Sequence, residues 1–85
     1  MALHTHHFVE NYDGMVGFGL NRDIDEKTVR WYLQKFSDDA LMQRILGSLS
    51  DKDLTEIFDL LSRLLRTHLS EPEYHRLFLK DEHHH

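Results

Sequence analysis

One segment of the sequence, residues 50–69, carries a helical signal strong enough to constrain the whole fold. At about 100° per residue, its apolar side chains fall within an arc of about 180°. The segment opens with Ser50 and, three residues later, Asp53, a spacing typical of a capping box. Because so wide a face exceeds what one neighbouring helix covers, the pattern predicts the central helix of a bundle, ending near Leu69. The apolar residues are Leu54, Ile57, Phe58, Leu60, Leu61, Leu64, Leu65 and Leu69.

Two shorter helical patterns precede this segment. Asp23 and Glu26 resemble an acidic capping box before a helix that should end near Phe36. Residues 37–39, Ser-Asp-Asp, cap a second helix, and Gly47 is placed as its C-terminal stop. The sequence therefore predicts two helices between residues 23 and 47.

A fourth start signal follows the leucine-rich segment. Ser70 and Glu73 have the spacing of a capping box, and Pro72 sits in the first turn, where its missing N–H costs nothing. The pattern predicts a last helix with one apolar face, formed by Tyr74, Leu77 and Phe78.

Residues 1–22 differ in composition from the rest of the chain and hold three of the four glycines. Asp13-Gly14 between short apolar runs is a hairpin signal, so Phe8-Val9 is expected to pair with Met15-Val16. The later glycines would bend the second strand or allow a close backbone approach. A two-stranded ribbon is not stable alone, so it should lie on helices. The side chains expected to point inward are Phe8, Val16, Phe18 and Leu20.

These elements predict a mainly α fold, a small bundle of about four helices with a short N-terminal β-hairpin or extended arm packed on it. The arm spans residues 1–22 and the bundle residues 23–82, within a single domain. The histidines at 83–85 are typical of a purification-tag remnant and are left out of the function. The usual tag linker has Leu-Glu before the histidines, whereas here Asp81 precedes Glu82, so a native origin for part of the tail is the alternative. Because the chain has no cysteine, further stability would come from good packing or self-association.

The charge balance excludes two classes of partner. Acidic residues outnumber basic ones by 15 to 10, giving a net charge of -5. A nucleic-acid backbone or an anionic membrane requires a basic face. The longest uncharged stretch near the start, residues 14–21, is too short for a signal sequence or for a span of roughly 20 residues. We therefore expect no nucleic-acid or membrane partner and a cytoplasmic location.

Histidines are numerous, eight in 85 residues, and three of them cluster near the N-terminus. Imidazoles bind Zn, Ni or Cu, and removal of Met1 would leave Ala-Leu-His, a known chelate for Cu(II) or Ni(II). The ordinary alternative is a frayed terminus that merely contains histidine. A His-rich metal-binding or metal-sensing protein is therefore the alternative function. Its ligands would be His4, His6, His7 and His75.

The clustered carboxylates are better explained as helix caps than as catalytic residues. Each cluster falls at a predicted helix start, where capping and the helix dipole account for it. A small enzyme, the third alternative, would need a cleft with strongly shifted pKa values. The sequence leans away from an enzyme and names no cofactor. The carboxylates are Asp23, Asp25, Glu26, Asp38, Asp39, Asp51 and Asp53.

Three runs of sequence carry a resemblance to a known family. They are residues 12–25 (YDGMVGFGLNRDID), residues 32–39 (YLQKFSDD) and residues 68–79 (HLSEPEYHRLFL). They resemble a family of small, uncharacterised bacterial cytoplasmic proteins. The resemblance implies a bacterial cytoplasmic setting and carries over no activity and no functional residue.

The preferred function is a non-catalytic interaction module, either a homo-oligomer or a protein bound to another protein. The wide leucine face and the aromatic side chains exceed the needs of so small a core. The alternative is that these side chains form an ordinary core, as leucine stripes usually do. The predicted interaction residues are Trp31, Tyr32, Leu60, Leu64 and Phe78.

Overall fold

A computed structural model describes residues 6–81, which are mainly α-helical, and within that range no β-strand is present. The predicted mainly α class is confirmed. In chain order the elements are α1 (His7–Asn11), α2 (Arg22–Phe36), α3 (Asp39–Leu46), α4 (Asp51–His68), α5 (Glu71–Glu73) and a π-helical turn (Tyr74–Phe78).

The described residues form two compact units. The N-terminal unit comprises residues 6–48 and holds α1, α2 and α3. The C-terminal unit comprises residues 49–81 and holds α4, α5 and the π-helical turn. The boundary falls in the short connection that leads to the cap of α4.

The predicted N-terminal hairpin is wrong. Phe8, expected in a strand, lies in α1, and residues 12–21 follow without regular structure. Phe8 stacks on Tyr12, with ring centroids 4.8 Å apart. The side-chain amide of Asn11 donates to the His7 carbonyl at 2.9 Å. These contacts link residues four apart, and such pairs stabilise a helical turn at Phe8-Val9, where the hairpin prediction placed a strand.

Helix α1 packs against α2 within the N-terminal unit. The backbone N–H of Val9 donates to the side-chain oxygen of Gln34 at 2.9 Å. The guanidinium of Arg30 lies over the Phe8 ring, 4.7 Å from its centroid, a cation–π geometry. The start of the chain is thus held on α2 by polar and cation–π contacts.

The glycine-rich segment, residues 14–19, is tied to α2 through Thr28. The Thr28 hydroxyl accepts the N–H of Gly17 at 3.0 Å and donates to the carbonyl of the same glycine at 3.1 Å. Thr28 is only 3% exposed. Gly19 has a φ of +95°, which favours glycine, and its N–H donates to Asp25 at 2.8 Å. Gly19 therefore allows a bend in the backbone beside α2, and residues 12–21 form no strand.

The start of α2 differs from the prediction. Its N-cap is Asn21, whose side-chain oxygen accepts a first-turn N–H at 2.9 Å. Asp23 and Glu26 do not form the predicted capping box. They pair instead along the helix surface, Asp23 with Lys27 at 2.9 Å and Glu26 with Arg22. Asparagine caps as well as aspartate, and pairs four residues apart stabilise the helix, which accounts for the shift.

Helix α3 begins and ends where the sequence predicted. The side chain of Asp38 accepts the Leu41 N–H at 3.2 Å and caps the helix. The helix ends at Leu46, directly before Gly47. Gly47 keeps a φ of -66°, so it ends the helix without a left-handed turn.

Both predicted capping boxes of the C-terminal unit are present. The Ser50 hydroxyl accepts the Asp53 N–H at 3.0 Å, and the Asp53 carboxylate accepts the Ser50 N–H at 3.2 Å. The same reciprocal bonds join Ser70 and Glu73, at 3.3 and 2.8 Å. Helix α4 therefore begins at the predicted position and ends at His68, next to its predicted end.

The last predicted helix is present, but it widens after its first turn. The Leu79 N–H donates at 3.0 Å to the carbonyl of Tyr74, five residues earlier, which defines a π-helical turn. The rings of Tyr74 and Phe78 stack inside this turn with centroids 5.3 Å apart. The N–H of Asp81 then closes the segment on the His75 carbonyl at 2.9 Å.

None of the apolar residues in the described range is fully buried. The prediction that α4 is the covered, central helix is wrong, because its apolar side chains lie at the surface. The inward placement predicted for three residues of the N-terminal segment is also wrong, and Phe18 is 73% exposed. These three are Val16, Phe18 and Leu20, whereas Phe8 is half-buried.

Candidate interaction surface

One side of α4 is an organised apolar surface of the C-terminal unit. We call it the α4 face. It exists because the capping box at Ser50 fixes the helix start, and the helical period then brings leucines three and four residues apart onto one side. The α4 face consists of Leu54, Ile57, Phe58, Leu60, Leu61, Leu64 and Leu65, and it is continued by Leu69 at the C-cap, where the backbone is extended.

The α4 face is open along most of its length. Phe58 is 70% exposed, and five aliphatic side chains beside it are between 38% and 47% exposed. Only the C-terminal end is partly covered, where Leu65 and Leu69 are half-buried. A contiguous apolar surface of this kind is typical of a binding site, because leaving it in water is unfavourable. The five aliphatic residues are Leu54, Ile57, Leu60, Leu61 and Leu64.

A shallow cavity of about 400 Å³ lies at the covered end of this face. The last turn of α4 forms one wall through Leu65 and Leu69, and Tyr74 of the π-helical turn forms another. Arg66 and Glu71 bring charges to its rim. The cavity therefore adjoins the apolar surface of α4, and charged groups form its rim.

The charges of α4 are segregated along the helix. Its first half is acidic, and apart from Lys52, which pairs with Glu56, it carries no basic residue. Its second half is basic, through Arg63 and Arg66. The helix dipole favours this order, since it attracts anions at the N-terminus and cations at the C-terminus.

The predicted interaction residues fall on both units. Leu60 and Leu64 belong to the α4 face, and Phe78, half exposed, stacks on Tyr74 in the π-helical turn. In the N-terminal unit, Trp31 meets Tyr32 edge to face with centroids 5.6 Å apart. Tyr32 is about half exposed, whereas Trp31 is half-buried, with Lys35 placed over its ring. Their role in binding stays a prediction.

The proposed metal ligands are spread over the chain. His4 lies outside the described residues, His6 and His7 lie in the N-terminal unit, and His75 lies in the C-terminal unit. The Nδ1 atom of His75 is 3.3 Å from a carboxylate oxygen of Asp81. Within residues 6–81 no group of three His, Cys, Asp or Glu residues could hold a metal ion. Metal binding by the N-terminal histidines stays a prediction.

A histidine–serine pair, which the sequence analysis missed, lies in a second cavity of about 590 Å³ in the N-terminal unit. His6 Nε2 is 2.6 Å from Ser37 Oγ, and the Ser37 hydroxyl donates to the Gln34 carbonyl at 2.9 Å. The arrangement ties the start of α1 to the end of α2. The two residues are 31 positions apart, so no sequence spacing signals the pair.

The pKa shifts in the structure come from ion pairs and a helix cap. The pKa of Arg22 is raised by its hydrogen bond to Glu26 and by the charge of that carboxylate. Asp23 raises the pKa of Lys27 in the same two ways. The pKa of Glu73 is lowered, first by the backbone N–H of Ser70 and then by its hydroxyl. These shifts belong to helix surfaces and a helix start.

The lowered pKa of Glu73 predicts a pH dependence of the α5 cap. The folded-state pKa lies below the unfolded value, so the cap stabilises the helix above the unfolded pKa and is lost as the pH falls through the folded pKa. In an NMR titration, the Glu73 carboxyl should have a midpoint below the model-peptide value of about 4.3. Ser70→Ala should move that midpoint upward. A wild-type midpoint at or above the model-peptide value would contradict this cap.

Among the helices of residues 6–81, none combines the length and apolar content needed to cross a bilayer.

No family model matches this sequence, and no curated protein or solved structure matches it either. The resemblance to small bacterial cytoplasmic proteins therefore stays a prediction. Among the described residues, those of the α4 face give the best-supported candidate site.

Proposed function

We propose that this chain is a non-catalytic protein–protein interaction module that self-associates through the α4 face. The observation that carries the proposal is the exposure of this face, where Phe58 is 70% exposed on a capped, regular helix. Burying such a surface gains roughly 25 cal/mol per Å² of apolar area. A partner that covers it is therefore favoured over water.

The local structure also suits a docking surface. Helix α4 has a complete capping box at its start, and its backbone continues as α-helix for 18 residues. A preformed helix loses little conformational freedom when it binds. The small bundle predicted from the sequence would then be completed by helices of a partner. We keep the expected bacterial cytoplasmic setting as part of this proposal.

Sedimentation velocity of the chain ending at Glu82, without residues 83–85, tests the proposal. We expect the weight-average mass to rise from that of one chain toward that of two, between about 1 µM and about 500 µM, the range for a micromolar complex. Adding Zn(II), Ni(II) or Cu(II) should not be required. A single-chain mass at every concentration would contradict self-association.

A further inference from the structure

The charges of α4 are self-complementary only when two copies run in opposite directions. Residues 51–59 carry four carboxylates and one ammonium, a net charge of -3, and residues 60–68 carry two guanidinium groups, a net charge of +2. Parallel pairing would lay acidic half beside acidic half. Antiparallel pairing lays each acidic half beside a basic half and also opposes the two helix dipoles, so it is electrostatically favoured.

The α4 face is also nearly symmetric about Leu61. Ile57 and Leu65 stand four residues to either side of it, and Phe58 and Leu64 stand three residues to either side. A two-fold axis beside Leu61 would therefore place Ile57 opposite Leu65 of a second copy, and Phe58 opposite Leu64. Such an arrangement is isologous, the usual geometry of a homodimer.

The size of the face sets the expected affinity. An 18-residue helix is about 27 Å long, and half the surface of a cylinder about 11 Å across is roughly 470 Å². Because one neighbouring helix covers only part of so wide a face, two copies together remove less than roughly 900 Å² from water, which is below the roughly 1,200 to 2,000 Å² of stable complexes. A dimer held by α4 alone should therefore be weak, with a dissociation constant in the micromolar range or above.

From these observations we infer that the occupant of the α4 face is the α4 of a second copy of this chain, paired antiparallel about Leu61. The inference rests on the proposed self-association and adds its orientation and register. In this register the positions of facing residues add to 122, so Leu54 faces His68 of the second copy and Leu61 faces itself. The charge pattern favours the antiparallel orientation, and the symmetry of the face gives the register about Leu61.

Engineered cysteines test the orientation, because the chain has none of its own. Leu54→Cys and His68→Cys are made in separate chains, mixed at about 100 µM, where a micromolar complex is populated, and oxidised. Disulfides form only when Cα atoms lie within about 7 Å. The mixture should give a covalent dimer on a non-reducing gel, with a peptide that joins positions 54 and 68. Neither variant alone should form one.

The matched control uses Thr55→Cys mixed with Thr67→Cys. These positions also add to 122, so they lie at the same level, but both fall outside the apolar arc. We expect no covalent dimer from this pair. Cross-linking of the control as strong as that of the 54/68 mixture would mean random collision and would overturn the inference.

The outcomes separate the orientation from the proposed function. A dimer in sedimentation with cross-linking of Leu54→Cys alone would show parallel pairing and overturn the inference, while self-association stands. A dimer without any of these cross-links would place the contact elsewhere and would also overturn it. If the chain sediments as a monomer and none of the cysteine mixtures cross-links, the face is covered within its own chain. That result would overturn both the antiparallel pairing and the proposed self-association.

Discussion

Replacing both Leu61 and Leu64 by glutamine is expected to make the chain monomeric at concentrations where the wild type is dimeric. Both side chains lie near the centre of the α4 face, and both are about two-fifths exposed in the single chain. In a symmetric dimer each substitution counts twice, and burial of one leucine is worth roughly 1.5 to 3 kcal/mol. The dissociation constant should rise by at least about 100-fold, which corresponds to about 2.7 kcal/mol.

Glutamine is chosen because its helix propensity is close to that of leucine, so α4 should persist. The matched control is Thr55→Gln/Thr67→Gln, which makes the same number of changes on the polar side of the helix. Sedimentation velocity measures the dissociation constants, and circular dichroism checks helix content. If the leucine variant dimerises as tightly as the threonine variant, the α4 face is not the interface.

Reversing the charge of one half of α4 should weaken homodimers and create a preference for mixed dimers. In the variant Arg63→Glu/Arg66→Glu, the whole of α4 becomes acidic. In the variant Glu56→Lys/Asp59→Lys, the second half of α4 stays basic and the first half loses its net negative charge. Each variant alone meets like charges in an antiparallel dimer. We expect a loss of affinity of about tenfold at about 10 mM salt, where the Debye length is about 30 Å.

Mixing the two variants should restore dimers at wild-type strength or above, because an acidic α4 then faces a basic one. The substituted side chains lie on the polar arc and leave the α4 face intact. At about 1 M salt, where the Debye length is about 3 Å, the differences should largely vanish. Sedimentation of the separate and mixed variants measures both effects. Equal affinities at low salt would show that charge does not select the partner.

The parts of the fold that could be predicted from the sequence are those set by neighbouring residues. The capping boxes at Ser50 and Ser70 join residues three apart, and the face of α4 follows from the helical period alone. Asn21 was missed as a cap because two acidic residues close behind it give a similar signal.

The N-terminal segment could not be predicted in this way, because competing signals overlap. Asp13-Gly14 favours a hairpin, whereas the stacking of Phe8 on Tyr12 favours a helical turn, and the helical turn forms. The contacts of Thr28 with Gly17 and of Ser37 with His6 join residues far apart in the sequence. No periodicity or spacing encodes them.

The candidate surface was only partly predictable, for a different reason. Periodicity identifies which α4 residues share one side, but an apolar side has the same pattern whether it is covered within the chain or by a partner. Leu60 and Leu64 were therefore predicted as interaction residues, while α4 as a whole was predicted to lie in a core. The exposures of Phe58 and its neighbours decide in favour of an open face.

The most direct test of the central claim is an isotope-filtered NOE experiment on a mixture of labelled and unlabelled chains. It detects only contacts between the methyl groups of one copy and the protons of another. We predict intermolecular cross-peaks from Leu61 to itself and from Ile57 to Leu65 at concentrations where the chain is dimeric. No intermolecular cross-peaks from the α4 methyl groups, at concentrations where sedimentation shows a dimer, would contradict the account.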